Sequence, residues 1–270
     1  MRIFRYWTRY SATLNVGGKE QVASVYGGSN ESEEDAMLEA KTKLTKVQEK
    51  ISSGRRYNDD PTYEADILEE VIQEVDAQNI ITRNRYGALV LNSTDHMFID
   101  IDQNKRFMNF WDRLLRDNIP RKQLLQQKII KKLSSWKYQG VNARLYETNN
   151  GFRVVIASQV DSPRNRPMVS MMKDLYVDRT YLYLCLRQNC YRARLTPKPY
   201  RIKQKRIRVK YPERTSSEEQ ELKAWVAAYD TQAANFATCK LIYAQDKLVN
   251  DKVIHLHDQF TKATSDLALR

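Results

Sequence analysis

Apolar positions change their spacing several times along the chain, and each change marks an element. Ile3 to Val16 and Gln21 to Tyr26 read as strands, with Gly17-Gly18 between them as a hairpin turn. Ser29-Asn30-Glu31-Ser32-Glu33-Glu34 then offers a cap and first-turn acids, and Ala36, Ala40, Leu44 and Val47 recur at helical spacing up to about Ile51. This predicts a ββα unit over residues 1–54, either a packing appendage or an arm that touches nucleic acid. The polar stretch from Ser52 through Gly54 to Pro61 is the best domain boundary, and a main core is expected over 62–212.

Within the core, Ile67, Leu68, Val71, Ile72 and Val75 suggest one apolar helix side between Ala65 and Ala77. Three β-rich runs follow, Asn79 to Thr82, Ala88 to Leu91 and Met97 to Asp102, and their short turns favour adjacent antiparallel strands. Phe107 to Trp136 reads as two helical stretches divided at Asn118-Ile119-Pro120. Val141 to Thr148 and Gly151 to Ser158 flank Asn149-Asn150-Gly151, a strong hairpin signal. A short helix is expected over Met168 to Leu175 and a β region over Arg179 to Leu195, ended by Thr196-Pro197-Lys198-Pro199. Lys203 to Lys210 is either a charged edge strand or a basic arm, and 213–270 is expected to be mainly helical from a capping box at Ser216 and Glu219. The fold class is therefore α+β, with a mixed or antiparallel sheet core and flanking helices.

Composition narrows the partners. The 270 residues are 41% hydrophobic and 10% aromatic, enough for a packed interior, and no window nears the roughly 18 apolar residues of a membrane span. A cytoplasmic protein with no membrane partner is expected. Cys185, Cys190 and Cys239 form no C-x-x-C pair and read as small core residues. Forty-five Lys and Arg against 33 Asp and Glu leave a net +12, which favours a polyanion such as DNA or RNA. The positive pole is Arg187 to Lys210, where Arg187, Arg192, Arg194, Lys198, Arg201, Lys203, Lys205, Arg206, Arg208 and Lys210 occur without one acid. P-loop, Rossmann and serine-hydrolase patterns are absent.

The candidate chemistry lies in Met97-Phe98-Ile99-Asp100-Ile101-Asp102. Strand alternation puts Asp100 and Asp102 on one face with Phe98, about 7 Å apart, while Ile99 and Ile101 turn into the core. Two such carboxylates repel unless a positive charge intervenes, either a divalent cation such as Mg²⁺ or Mn²⁺ or a nearby arginine. Arg192 and Arg194 share a face that suits spaced phosphates, and Arg83, Arg85 and Tyr86 form a second basic and aromatic group. His255 and His257 lie two apart on a helix and point to different faces, and His96 has no identifiable partner.

The order of these features over roughly residues 80 to 200 resembles the archaeo-eukaryotic primase superfamily, the primase-polymerases included. The family's D-x-D strand matches Asp100-Ile101-Asp102, its small-x-His hairpin falls on Gly151-Phe152-Arg153, and its third acid falls on Asp174 or Asp178. Its final aromatic and basic stretch matches Tyr191-Arg192-Ala193-Arg194 through Lys198. The resemblance implies a metal held by Asp100, Asp102 and Asp178, and nucleotide phosphates held by Arg153, Arg192, Arg194 and Lys198. It also implies metal-dependent nucleotidyl or phosphoryl transfer from nucleoside triphosphates, while Arg83, Arg85, Tyr86, Arg187 and Arg201 are, by their own basic and aromatic chemistry, the candidates to grip nucleic acid. Arg153 departs from the family's His: it can bind phosphate in a bidentate fashion but cannot exchange a proton near neutral pH. A non-catalytic nucleic-acid-binding protein on the same scaffold and a metal-dependent nuclease are the alternatives.

Overall fold

In the computed structural model, residues 1–53, 67–103, 107, 119–138, 140–157, 160–245 and 251–270 are described. The first helical stretch expected after Phe107 and the expected boundary around Gly54 to Pro61 fall outside them, Phe107 excepted. Contacts divide the chain into two compact units, one of residues 3–71 with 210–215, the other of 1–2, 72–209 and 216–270.

The smaller unit is built on the expected hairpin. Strands β1 (Tyr6–Val16) and β2 (Lys19–Ser29) pair antiparallel along their whole length, and Gly17 and Gly18 turn between them with positive φ. Helix α1 (Glu33–Ser52) starts at Ser32, whose side chain accepts from the Asp35 amide. Its apolar stripe packs Leu44 and Val47 against Leu14, with Tyr10, Ala12 and Val25 around them.

The larger unit holds two four-stranded sheets. One has the order β10-β7-β8-β6, from β6 (Met97–Asp102), β7 (Ala143–Thr148), β8 (Gly151–Ile156) and β10 (Cys239–Ala244). The other runs β3-β4-β5-β9, from β3 (Glu70–Asp76), β4 (Asn79–Arg83), β5 (Leu89–Ser93) and β9 (Tyr191–Arg194). All pairings recorded among β4 to β10 are antiparallel, and the protein is α+β. The helices are α2 (Arg121–Leu133), α3 (Arg166–Asp174), α4 (Arg179–Gln188), α5 (Ser216–Ala233) and α6 (Lys252–Thr261). Ile99, Ile101, Val154, Leu145, Leu125, Ile129, Tyr191 and Ala193 belong to one buried cluster that joins both sheets to α2. No helix among the described residues is long and apolar enough to cross a membrane.

Four expectations need correction. Residues 70–76 form a strand and not a helix: Val71, Ile72 and Val75 are β-branched, and Asp76 accepts from the Gln78 amide and the Asn79 side chain to turn the chain into β4. Residues 179–188 are helical and not β, because Asp178 caps the Tyr181 amide and Asn189 ends the helix in the left-handed region, with Tyr181, Leu182, Cys185 and Gln188 on the buried side. The strand β6 does not continue the β4–β5 hairpin but pairs with β8 in the other sheet. Residues 239–244, expected in a helical tail, add an edge strand against β7.

Candidate functional site

Pairing of β6 with β8 sets Asp100 opposite Arg153 and Asp102 opposite Gly151, while β7 sets Tyr146 opposite Arg153 from the other side. Alternation then aims Phe98, Asp100, Asp102, Arg153 and Tyr146 at one face, and Ile99, Ile101 and Val154 at the other. Arg153 is wholly buried on the central strand. A buried guanidinium needs partners, and it has them: Nε donates to Asp100 Oδ1 at 2.8 Å, and a second nitrogen reaches Oδ2 at 3.4 Å. A third donates to the Arg194 carbonyl at 3.0 Å, tying β8 to β9 across the two sheets, and lies 3.2 Å from His257 Nε2. Burial opposes the charge of Arg153, but Asp100 outweighs it and the guanidinium pKa is raised.

His257 on α6 completes this interior. Its Nδ1 faces Asp258 Oδ1 at 2.9 Å, so Nδ1 carries the proton and Nε2 accepts from Arg153. Burial lowers its pKa, and Arg153 lowers it further against Asp258, which keeps the ring neutral near pH 7. Phe98 stacks on it, and Tyr146 meets it edge-on.

The acids gather more closely than the sequence shows. The Asp178 amide donates to the Asp100 carbonyl at 2.9 Å, which brings the α4 start beside β6. Burial first, then Asp178 and Asp100, raise the Asp102 carboxyl's pKa, while Lys198 and Arg194 lower it. Asp178, Asp100, Asp102, Lys198 and Arg194 therefore share one neighbourhood. Asp174 does not join it: its carboxylate takes Lys132, Lys137 and the Tyr138 hydroxyl, and its pKa falls. These donors do not fit a divalent cation as arranged. Both Asp100 oxygens face Arg153, Asp178 Oδ1 accepts from the Tyr181 amide, and no group of three His, Cys, Asp or Glu among the described residues is placed to hold a metal.

The cations divide into buried and open ones. Arg192 and Arg83 are buried, and Arg83 donates to the Gly87 carbonyl inside its own turn. Arg194 is half-buried, and its Nε is enclosed without a hydrogen bond. Burial, Arg153 and Arg201 press its pKa down to about 10 against the pull of Asp100, so it remains charged at neutral pH. After β9, Pro199–Ile202 makes one turn of 3₁₀ helix that displays Tyr200, 70% exposed, with Lys198 Nζ 6.0 Å and Arg201 Cζ 5.9 Å from its ring centre. Those two cations outweigh slight burial and lower the Tyr200 hydroxyl's pKa. Arg187 lies half-buried at the end of α4. In the turn before β5, the Arg85 guanidinium lies 4.9 Å from the exposed Tyr86 ring.

Sequence reasoning missed Tyr200, although its place between Lys198 and Arg201 was a signal. It also missed the partners of His96, which bridges Asp95 Oδ1 at 2.7 Å and Asp251 Oδ2 at 2.9 Å; Asp251 lies 155 residues away and no local pattern reveals it. No protein-family model, curated protein or solved structure matches the chain.

Proposed function

We propose that this chain is a nucleic-acid-binding protein on a primase-like scaffold, with an internal arginine standing in front of the first aspartate of its D-x-D strand. The observation that carries the reading is the surplus of positive charge at the end of β9. Lys198 and Arg201 flank the exposed ring of Tyr200 there, a few residues past Arg194. Anionic oxygens satisfy such guanidinium and ammonium groups, and an exposed ring between them offers a face for a base. The Arg153 pair with Asp100 serves the same reading, because it neutralises that acid from within. Three buried cysteines that form no disulfide fit a reducing, cytoplasmic setting.

The test is binding of a fluorescently labelled single-stranded oligonucleotide, DNA and RNA in separate arms, by anisotropy in EDTA. Lys198→Ala with Arg201→Ala should weaken binding and flatten its salt dependence by about 0.7 per lost phosphate contact. Unchanged affinity in the double variant overturns the assignment.

A second reading, metal-dependent nucleotidyl or phosphoryl transfer from nucleoside triphosphates or strand cleavage, is favoured by one observation. Burial first, and then the nearness of Asp178 and Asp100, raise the Asp102 carboxyl's pKa against Lys198 and Arg194, so three acids lie close enough to interact. It requires Arg153 to release Asp100. Calorimetric titration with Mg²⁺ or Mn²⁺ decides it: heat of binding that Asp102→Asn abolishes supports this reading, and no heat removes it.

A further inference from the structure

Beyond the β9 corner, a second feature of the larger unit has the chemistry of a base-stacking site. Residues Lys205 to Val209 run without regular structure past the first half of α5, and an open groove of about 250 Å³ lies between them. Its walls are Lys205, Arg206, Ile207, Arg208 and Val209 on one side and Glu221 and Trp225 on the other. That volume falls below the roughly 300–1,000 Å³ of pockets for drug-sized ligands, so it suits one planar ring system rather than a whole cofactor.

Trp225 is fixed in place on three sides. Tyr229, one helical turn onward, stacks on it with ring centres 4.9 Å apart and planes 11° from parallel. Its indole Nε1 donates to the Lys205 carbonyl at 2.8 Å. The far edge of the ring rests on Gly87, whose φ of +96° and lack of a side chain let the indole sit against the backbone. Glu221, one turn back on the helix, shares the groove wall with the indole, and Tyr229 is not among its walls. An aromatic ring held this firmly loses little freedom when a second ring stacks on it.

The charge around the groove selects the ligand. Three cations, Lys205, Arg206 and Arg208, face one acid, Glu221. Gly87, which the indole touches, follows the Arg85–Tyr86 pair in the chain, although neither of those two side chains lines the groove. We propose that this groove seats one base of a single-stranded nucleic acid against Trp225, with the adjoining phosphates on Arg206 and Arg208. The site rests on the nucleic-acid reading above and extends it: a strand held at Lys198 and Arg201 would have a second anchor a few residues along the same basic segment. Recognition is by ring face and backbone charge, so it is tolerant of sequence.

The experiment measures anisotropy of labelled oligothymidylate and oligouridylate, each of twelve nucleotides, against the full chain and three variants. Trp225→Leu should weaken binding about five- to 150-fold, the range carried by stacking of a base on an aromatic side chain. Trp225→Phe, which keeps a ring, should recover most of that loss. Arg206→Ala with Arg208→Ala should weaken binding and flatten the salt dependence. If the groove variants bind as the wild type does while Lys198→Ala with Arg201→Ala binds weakly, the groove is overturned and the β9 corner stands. If the wild-type chain binds neither oligonucleotide at low salt, both assignments fall.

Discussion

Arg153 is the residue on which the interior of the larger unit turns. Asp100 keeps 31% of its side-chain surface in water while Arg153 keeps 1%, so the two ends of this pair are not equivalent. Removing the carboxylate strands a charged guanidinium in the interior. Removing the guanidinium leaves a carboxylate that water can still reach. Breaking a buried pair costs about 3–5 kcal/mol when the remaining charge is uncompensated, and less when it can be hydrated. Asp100→Ala should therefore destabilise the protein by about 3 kcal/mol, and Arg153→Met, which keeps the length of the side chain, by distinctly less. Urea denaturation of the two variants checks this, and the reverse order would show that the Arg194 carbonyl and His257 suffice to hold Arg153 without Asp100. At this scale the sequence was partly legible. Alternation along β6 placed both aspartates on one face, and a neighbouring arginine was one of two partners the charges required. What it could not show was that Arg153 lies directly opposite, because register between strands 50 residues apart is set by packing on both faces.

Elements are held by caps and close approaches that act over longer range. Asp251 caps α6 through its Oδ1, which accepts from the Val253 and Ile254 amides, and holds His96 through its Oδ2. Burial alone would lower the His96 pKa, but the hydrogen bonds to Asp251 and Asp95 outweigh it and raise the value. A histidine raised in the folded state stabilises fully below its unfolded pKa of about 6.5, and the gain fades as pH climbs through the folded value. His257 acts in the opposite sense, since its lowered pKa makes acid conditions unfavourable to the fold. The difference between wild type and His96→Asn isolates the first effect: the loss in urea midpoint should be larger near about pH 6 than near about pH 9. An equal loss at both would mean that His96 is neutral throughout.

In the smaller unit, Gly27 of β2 lies so close to α1 that a Cβ would run into the Ala36 carbonyl oxygen and the Ala40 amide nitrogen. Backbone cannot yield as a flexible side chain can, so Gly27→Ala should cost about 1–3 kcal/mol, read as a lowered melting temperature. Gly18→Ala is the control for an added methyl without a clash, its strain coming only from its positive φ. This unit was the most legible part of the chain, since Gly17-Gly18, the Ser32 cap and the four-residue spacing of Ala36, Ala40 and Leu44 all point the same way. The hairpin around Asn150-Gly151 was equally clear. Elements with mixed signals were misread: Val71, Ile72 and Val75 satisfy a helical spacing as well as a strand's composition, and the tyrosines and leucines of α4 concealed the cap at Asp178. Cys239–Ala244 is a strand only because the edge of β7 is there to receive it.

For the whole molecule, a net charge of +12 supplies attraction to any polyanion, and what matters is where that charge can be reached. Arg153, Arg192 and Arg83 are buried. Lys203, Lys205, Arg206 and Arg208 are exposed, and Lys198 and Arg201 are half-exposed around Tyr200. The sequence marked this basic run but could not separate the cations that hold sheets together from those that face solvent. The most direct measurement is the affinity of the full chain for a single-stranded oligonucleotide in EDTA, followed as salt rises from about 50 to 200 mM. Binding that persists without divalent metal, with log K falling linearly against log salt over several phosphate contacts, is the predicted result. No binding at the lowest salt, or binding that returns only when Mg²⁺ or Mn²⁺ is restored, would contradict it.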